Sequence, residues 1–332
     1  MVKRKSLLVI TIAISVFCAV FVACDKSSSN SGNISIKRYE KLLFETPAEN
    51  LPEVLRKNEY EYRYLLNEDL NNPMYMRQIV DFASDPLMKQ VFETSQKHYA
   101  DLAWLENDLQ KPIQKTQELF PNLCIKYFYT LITGSFDYNM RVISVDSFLA
   151  IDICQYAIAD MSFAGCFQYP QYLINLLDSS FILSDCMYAI GLNAFMSQNQ
   201  NLELNTLLDY MVFRGKILYF MNEVLPDVSL EKNLRYTSDQ LAWANENEGN
   251  VWGYIVQNQL LYSTDNDKLR DFVDDAPKTP QFNNSAPRLA DFLGMKIIEK
   301  YVEKTDCSMQ ELFAENNSQK ILSTSGYKPA RK

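Results

Sequence analysis

The sequence predicts a mainly α-helical α+β protein, a large helical domain with a small β-sheet inserted early. Three observations support this fold class. Glycine is scarce, at nine residues, whereas Tyr and Phe together number 39 and supply the large side chains of a wide core. Apolar residues recur at helical spacing over most of the second half. Two runs between residues 123 and 153 are instead rich in β-branched and aromatic residues.

Residues 1–23 have the pattern of a lipoprotein signal peptide. A basic cluster at residues 3–5 precedes an uncharged run that ends in Phe21-Val22-Ala23-Cys24. This is the arrangement of a secretory leader, and its end resembles the bacterial lipobox. We therefore expect acylation of Cys24, with palmitate among the lipids. Several acyl chains would anchor the protein to a membrane, because a single chain binds only marginally.

An uncleaved anchor helix is the alternative, since the apolar run approaches the roughly 20 residues that span a bilayer. The Ser- and Asn-rich segment at 27–33 favours a flexible tether instead. The predicted organisation is a signal peptide at 1–23, a lipid-anchored tether at 24–35, a single domain at 36–325 and a disordered tail at 326–332. Asp25-Lys26 begins no acidic run of the kind expected of a surface-export tag, which favours a periplasm-facing position in the cell envelope.

The first predicted helix of the domain covers residues 85–110. Asp85-Pro86 provides a cap followed by proline at the first helical position. The apolar stripe that follows at helical spacing comprises Leu87, Val91, His98, Leu102, Leu105 and Leu109.

Two β-like runs come next, at residues 123–133 and 141–153. Gly134 ends the first run, and the second contains Val142-Ile143-Ser144-Val145 with partial alternation. We expect the two runs to pair with each other across residues 135–139.

The chain then returns to helix. Thr237-Ser238-Asp239-Gln240 matches a capping box, and Pro226 is expected to stop the preceding helix. Residues 274–287 are predicted to be the longest irregular segment. The predicted helices cover residues 170–177, 180–198, 206–225, 238–245, 250–262, 287–304 and 308–315.

The charge of the chain excludes one class of partner. Without the leader, 29 basic side chains face 41 acidic ones, a net charge of −12. Such a polyanion is repelled by phosphate backbones, so we expect no nucleic-acid partner. The cysteines outside the leader and Cys24 are odd in number and lack Cys-x-x-Cys spacing, which predicts buried thiols with at most one disulfide and no metal site. They are Cys124, Cys154, Cys166, Cys186 and Cys307.

The single histidine limits the chemistry most strongly. His98 alone cannot supply a His-Glu-x-x-His motif or a three-histidine zinc site. Because His98 lies on the same helical stripe as apolar residues, we expect its side chain to pack in the core. Glycan cleavage needs only two carboxylates. The candidates in apolar surroundings are Asp146, Asp152, Asp185 and Asp209, although most carboxylates beside apolar runs are helix caps or ion-pair partners.

Two cations interrupt a strongly apolar helix at Arg214 and Lys216. A buried cation needs a carboxylate or a ligand as partner. The two interpretations are an internal salt bridge with a neighbouring helix and a ligand site. Gly215 between them predicts close helix packing.

The lipobox and short motifs spaced over residues 34–323 carry a resemblance to a known family. They are the lipobox, Ile36-Lys37-Arg38-Tyr39-Glu40 with Leu43-Phe44, Phe120-Pro121-Asn122, Arg214-Gly215-Lys216-Ile217-Leu218-Tyr219-Phe220, Asn250-Val251-Trp252, Leu261-Tyr262-Ser263, Asp275-Ala276-Pro277, and Ser285-Ala286-Pro287-Arg288 with Gly294. Together they resemble the GldB-like gliding-motility lipoproteins of the Bacteroidetes.

That family is similar to predicted zinc peptidases with a zincin-like arrangement, in which one helix carries His-Glu-x-x-His and a second donates a Glu beside a Gly. The corresponding first helix here, at residues 183–189, has no histidine. Arg214 precedes Gly215 where a ligand carboxylate is wanted. The resemblance therefore implies that the chain retains the zincin-like fold but has lost the metal ligands, and that it binds no cofactor. The candidate binding cleft comprises Asp185, Arg214, Lys216, Tyr219, Trp252 and Arg288.

These observations predict a non-enzymatic envelope lipoprotein that binds a protein or glycan partner, linked by resemblance to gliding motility or a related envelope process. The alternative is an envelope hydrolase, either a peptidase or a carboxylate-based glycan-cleaving enzyme. A third interpretation is a purely structural spacer.

Overall fold

A computed structural model describes residues 33–161 and 169–330. Their contacts group into two compact units: residues 33–110, 126–143 and 148–161 form unit 1, and residues 111–125, 144–147 and 169–330 form unit 2. The sequence predicts one domain. No change in composition marks the two units, because the chain passes from one unit to the other inside a helix, at residue 110, and inside a strand, at residue 143. The signal peptide and Cys24 lie outside the described residues.

Unit 1 combines short helices with a small β-sheet. Its first strand is β1 (Ile36–Arg38). Its helices are α1 (Tyr39–Glu45), α2 (Leu51–Lys57), α3 (Glu59–Tyr62), α4 (Pro73–Ser84), α5 (Pro86–Tyr99) and the first half of α6 (Ala103–Leu119). The other strands are β2 (Tyr127–Leu131), β3 (Val142–Val145) and β4 (Phe148–Asp152), accompanied by 3₁₀ helices at Tyr138–Met140 and Ile153–Asp160.

The sheet has the strand order β1-β2-β4-β3. Both neighbours of β2 run parallel to it, with Phe128 opposite Ile36 on β1 and opposite Leu149 on β4. The two β-like runs pair as predicted, but in parallel through β2 and β4, and not as a hairpin across residues 135–139. The second run divides at Asp146, whose φ is +49°, and only its second half pairs with β2. Parallel pairing needs a longer connection than a hairpin turn, and the intervening β3 supplies it.

The helix predicted over residues 85–110 is two helices, α5 and α6. The predicted start is confirmed, because the Asp85 carboxylate accepts the amide hydrogens of Leu87 and Met88 at 2.8 and 3.0 Å. His98 lies in α5 outside its buried face, which includes Val91, Ser95 and Tyr99, so it does not pack as expected. Its side chain is 41% exposed and its Nε2 lies 2.6 Å from the carboxylate of Asp160.

Unit 2 is built from helices. They are α7 (Gln171–Ile174), α8 (Ser179–Gln198), α9 (Leu207–Val224), α10 (Leu230–Leu234), α11 (Ser238–Gln257), α12 (Asn266–Val273), α13 (Leu289–Thr305), α14 (Met309–Ala314) and α15 (Ser318–Ser325). The capping box at Thr237 is confirmed. The two helices predicted at 238–245 and 250–262 are the single helix α11, because Gly249 is helical and does not break it.

Helices α10 and α12 were not predicted, and α7 ends three residues before the expected residue 177, but two other expectations are confirmed. Helix α9 ends at Val224, just before Pro226, and residues 274–287 form neither helix nor strand. The predicted disordered tail begins one residue before Tyr327, whose ring is buried and whose hydroxyl donates to Glu248 at 2.8 Å. Ordered packing therefore extends into that segment.

Helices α9 and α13 approach each other through two glycines, as predicted for Gly215. A Cβ added at Gly215 would lie 2.3 Å from the carbonyl carbon of Gly294. A Cβ added at Gly294 would lie 1.9 Å from the carbonyl oxygen of Met211. Because the obstacles are backbone atoms, neither position has room for a side chain. The contact brings Arg214 on α9 next to the start of α13.

Within the described ranges, 33–161 and 169–330, none of the helices has the combination of length and apolar character needed to cross a bilayer.

Candidate functional site

Six charged residues of unit 2 form a connected, mostly buried group, which we name the arginine–aspartate cluster. They come from five parts of the unit: α8, α9, the residue after α10, the irregular segment after α12, and the start of α13. The members are Asp185, Arg214, Arg235, Asp275, Arg288 and Asp291.

Each arginine of the cluster has a carboxylate partner. Arg214 Nη1 lies 3.2 Å from Asp291 Oδ1, and Arg288 Nη1 lies 2.8 Å from Asp275 Oδ1. Arg235 pairs with Asp185, and both side chains are buried. The first two pairs are connected, because Arg288 Nε is 3.9 Å from Asp291 Oδ2.

The guanidinium groups also donate to backbone carbonyls. Arg214 Nη1 donates to the carbonyl of Val273 at 2.7 Å, and Arg235 donates to the carbonyl of Leu176. Arg288 donates to the carbonyl of Leu234, which joins the start of α13 to the end of α10. The cluster thus ties irregular segments to the helices.

Two of the arginines have a left-handed backbone. Arg235, at the C-cap of α10, has φ +56°, and Arg288, at the N-cap of α13, has φ +45°. Such a conformation costs a non-glycine residue about 1 to 2 kcal/mol. Tyr236 holds the two segments together, because its buried hydroxyl donates to the carbonyl of Pro287 at 2.6 Å.

Burial dominates the electrostatics of Asp291. Its pKa is raised, because desolvation disfavours the carboxylate more strongly than the coulombic attraction of Arg214 and Arg288 favours it. Burial likewise raises the pKa of the neighbouring Tyr236. Buried ion pairs seldom add net stability, but removing one partner leaves an uncompensated charge, which is costly. Loss of any one charged member of the cluster is therefore expected to destabilise unit 2.

The structure brings three of the six predicted cleft residues into this cluster, namely Asp185, Arg214 and Arg288. The internal salt bridge predicted for Arg214 is confirmed by Asp291. Their side chains are mostly buried, with 4% of Asp185, 23% of Arg214 and 8% of Arg288 exposed. They form a polar core, and not the open cleft that the sequence suggested.

The other three predicted cleft residues contact other parts of unit 2. Lys216 is 1% exposed and its Nζ donates to the carbonyl of Glu315 at 2.6 Å. A backbone carbonyl at the end of α14 therefore takes the place of the salt bridge that was expected for this lysine. Trp252 makes an edge contact with Tyr327, with ring centroids 5.1 Å apart. Burial raises the pKa of the partly buried Tyr219, and Glu223 adds to the effect.

Sequence reasoning missed Arg235 and Asp291 and did not single out Asp275. Arg288 and Asp291 are three residues apart at a helix start, a spacing at which side chains meet. Asp275 already stood in one of the family motifs. Arg235 lies between the apolar residues Leu234 and Tyr236, and Arg214 likewise interrupts an apolar run. This pattern could have identified Arg235 as a buried cation.

The four carboxylates considered for glycan cleavage have separate structural roles. Asp209 accepts from the backbone amide of Thr206 at 2.9 Å in the capping box of α9. Asp146 is exposed in the turn between β3 and β4. Asp152 is buried in unit 1, where it accepts from the Thr133 hydroxyl at 2.6 Å, and desolvation raises its pKa. Asp185 belongs to the arginine–aspartate cluster.

The helix implied by the zincin-like resemblance, residues 183–189, lies within α8. Asp185 on this helix faces Arg235, and Tyr188 acts electrostatically on Arg214 of α9. The two segments expected to carry metal ligands are therefore neighbours, and guanidinium groups lie among them. Among residues 33–161 and 169–330, no three His, Cys, Asp or Glu side chains are grouped to hold a metal ion.

The fold and the site define a mainly helical α+β protein whose helical unit encloses a buried ion-pair cluster. The chain belongs to the GldB family of gliding-motility lipoproteins of the cell envelope, because the family model described as gliding motility protein GldB matches residues 24–329. The match begins at Cys24, the residue predicted to carry lipid. Comparison with curated proteins found no match, and neither did comparison with solved structures.

Proposed function

We propose that the protein is a non-enzymatic envelope lipoprotein that serves gliding motility, or a related envelope process, by binding a protein or glycan partner. Family membership supports the link to motility. The observation that carries the non-enzymatic part is the position of Arg214 and Arg235, two cations beside the helices where the zincin-like resemblance expects metal ligands.

A metal site at this position would require different donors. Zinc binds to Cys, His and carboxylate side chains. A guanidinium does not deprotonate in proteins, so Arg214 and Arg235 repel a divalent cation. Asp185, the carboxylate that α8 offers, is already paired with Arg235. We infer a zincin-like ancestry in which ion pairs have replaced the metal.

The arginine–aspartate cluster supports binding indirectly in this proposal. It is too buried to contact a partner, but it fixes segments from five parts of unit 2. A rigid framework lowers the entropic cost of binding at the surface. The net charge of −12 favours a neutral or basic partner over an acidic one. The acylated Cys24 would hold this surface at the membrane, facing the periplasm.

The proposal is tested by capturing the partner in the native envelope. Full-length protein with a C-terminal tag is crosslinked in cells, purified under denaturing conditions and analysed by mass spectrometry. We expect one partner, protein or glycan, to be enriched over cells that express the untagged protein. If no specific partner is enriched, the binding function is wrong.

Two further measurements separate the alternatives. Stoichiometric zinc in the purified protein, lost on Asp185→Asn, would overturn the non-enzymatic proposal in favour of a hydrolase. A structural spacer predicts that changes at Lys216 or Arg288 lower stability without changing partner recovery. The binding proposal instead predicts that Arg288→Ala reduces recovery together with stability, because Arg288 helps to hold the framework.

A further inference from the structure

We propose that unit 2 binds a neutral oligosaccharide in a surface depression between the starts of α9 and α15. This inference rests on the proposed binding function and names the chemical class of the partner. The depression has a volume of about 710 Å³, within the range of small-molecule sites. We name it the Tyr262 depression, and it is lined by Thr206, Leu208, Asp209, Tyr262, Glu315, Asn316, Asn317, Ser318 and Gln319.

Tyr262 provides an aromatic platform. The residue is 54% exposed, unlike most large apolar side chains of the unit. Among the described residues, its ring has no aromatic partner and its hydroxyl no hydrogen bond. The segment that carries it is fixed, because the amide of Leu208 donates to the carbonyl of Leu261 at 3.0 Å. The face of an aromatic ring is electronegative, so it attracts the polarised C–H groups on the flat side of a pyranose.

Amide side chains also line the depression. Asn316, Asn317 and Gln319 are all exposed. Asn316 is oriented by its Nδ2, which donates to Asn199 Oδ1 at 2.5 Å. Within the described part of the chain, Gln319 makes no hydrogen bond through its side chain. Each amide offers donors and an acceptor, which matches sugar hydroxyls because these both donate and accept.

The charged side chains that line the depression are both carboxylates. Asp209 Oδ1 accepts from the Ser318 hydroxyl at 2.7 Å, and Glu315 is paired with Lys320. None of the nine lining residues is Lys or Arg. An acidic sugar would therefore meet two carboxylates and no lining cation. A neutral sugar meets hydrogen-bonding groups without this repulsion.

The rim of the depression is pre-organised by helix caps. Thr206 and Asp209 form the capping box of α9, and Asn317 Oδ1 accepts the amide of Lys320 at 2.9 Å at the start of α15. Both caps hold the lining residues in place before a ligand arrives. Such pre-organisation lowers the entropic cost of binding.

The test uses full-length protein in phospholipid nanodiscs free of glycolipid. Calorimetric titration with N-acetylchitotriose, maltotriose and trigalacturonic acid compares two neutral trisaccharides with an acidic one. We expect at least one neutral trisaccharide to bind. Tyr262→Ala should weaken that binding about tenfold or more, because it removes the platform. Trigalacturonic acid should bind more weakly than the neutral ligand.

Tyr60→Ala is the matched control, since Tyr60 is 77% exposed in unit 1. Thermal unfolding verifies that each variant folds, and Tyr262→Phe should retain binding because it keeps the ring. The inference is overturned if neither neutral trisaccharide binds, if the acidic one binds as tightly, or if Tyr262→Ala binds like wild type. If the titrations fail but the envelope capture recovers a partner, only the glycan inference is wrong. If the capture also recovers no partner, the proposed binding function is wrong as well.

Discussion

Replacing Lys216 by methionine tests the electrostatics of the unit 2 core. The side chain is 1% exposed, and its Nζ lies 5.3 Å from the centroid of the Phe195 ring. Its hydrogen-bond acceptor is the backbone carbonyl of Glu315, at the C-terminal end of α14. Burial lowers the pKa of Lys216 from 10.5 to about 8, against the opposing effect of Glu315 and Cys307.

The sign of the pH dependence follows from this shift. Between pH 8 and pH 10.5 the unfolded chain binds a proton at Lys216 that the folded chain does not bind. Stability rises with pH wherever the unfolded state binds more protons. The wild type should therefore gain stability relative to Lys216→Met as the pH increases. From pH 7 to pH 9.5 the relative gain is about 2 kcal/mol, since one pKa unit corresponds to roughly 1.4 kcal/mol.

The assay is urea unfolding of both proteins, followed by circular dichroism at several values between pH 7 and pH 9.5. Comparison of the two proteins cancels the contributions of other titrating groups. Lys320→Met is the matched control, because its pairing with Glu315 raises the pKa of Lys320 and its side chain is 59% exposed. That variant should differ from wild type slightly and in the opposite direction. Parallel pH profiles for wild type and Lys216→Met would refute the buried-cation argument.

Three further substitutions test the packing, the cluster and the caps, each by urea unfolding. Gly294→Ala should cost about 3 kcal/mol or more, because the added Cβ would lie 1.9 Å from a carbonyl oxygen of α9; a loss below 1 kcal/mol would contradict the contact. Asp291→Asn should cost about 3 to 5 kcal/mol, because it leaves two buried guanidinium groups short of negative charge; an unchanged midpoint would show that the pairs are weak. Thr237→Ala should cost about 1 kcal/mol by removing the cap of α11, whereas Ser238→Ala, within the same helix, should cost less.

Local signals made the helices of unit 2 predictable. The boundaries of α8 and α9 lie within one residue of those expected, because caps and apolar periodicity are read from neighbouring residues. The close approach at Gly215 followed from a glycine inside an apolar helix. The break between α5 and α6 was missed, since an apolar stripe continued in sequence while the helical phase did not.

Long-range pairing was not predictable in the same way. The β-like character of residues 127–131 and 148–152 was recognised, yet their parallel pairing depends on where β3 lies between them. The site shows the same limit. Arg214 visibly needed a carboxylate, but its partner Asp291 is 77 residues further along the chain. Nothing in the sequence around Arg214 identifies that aspartate as its partner.

The arrangement of charge in the cluster also predicts how the protein responds to a chelator. In a metal site, an external cation holds carboxylates from neighbouring helices together. Here guanidinium groups of the chain itself hold Asp185 and Asp291, and they also donate to carbonyls at Leu176, Leu234 and Val273. The positive charge that stabilises these carboxylates is thus covalently part of the protein. A structural zinc contributes about 10 kcal/mol or more of apparent folding energy. If our proposal is correct, excess EDTA leaves the urea midpoint unchanged, while Arg235→Met lowers it. A midpoint that falls with EDTA and recovers with added zinc would show that a metal, and not the arginines, holds unit 2 together.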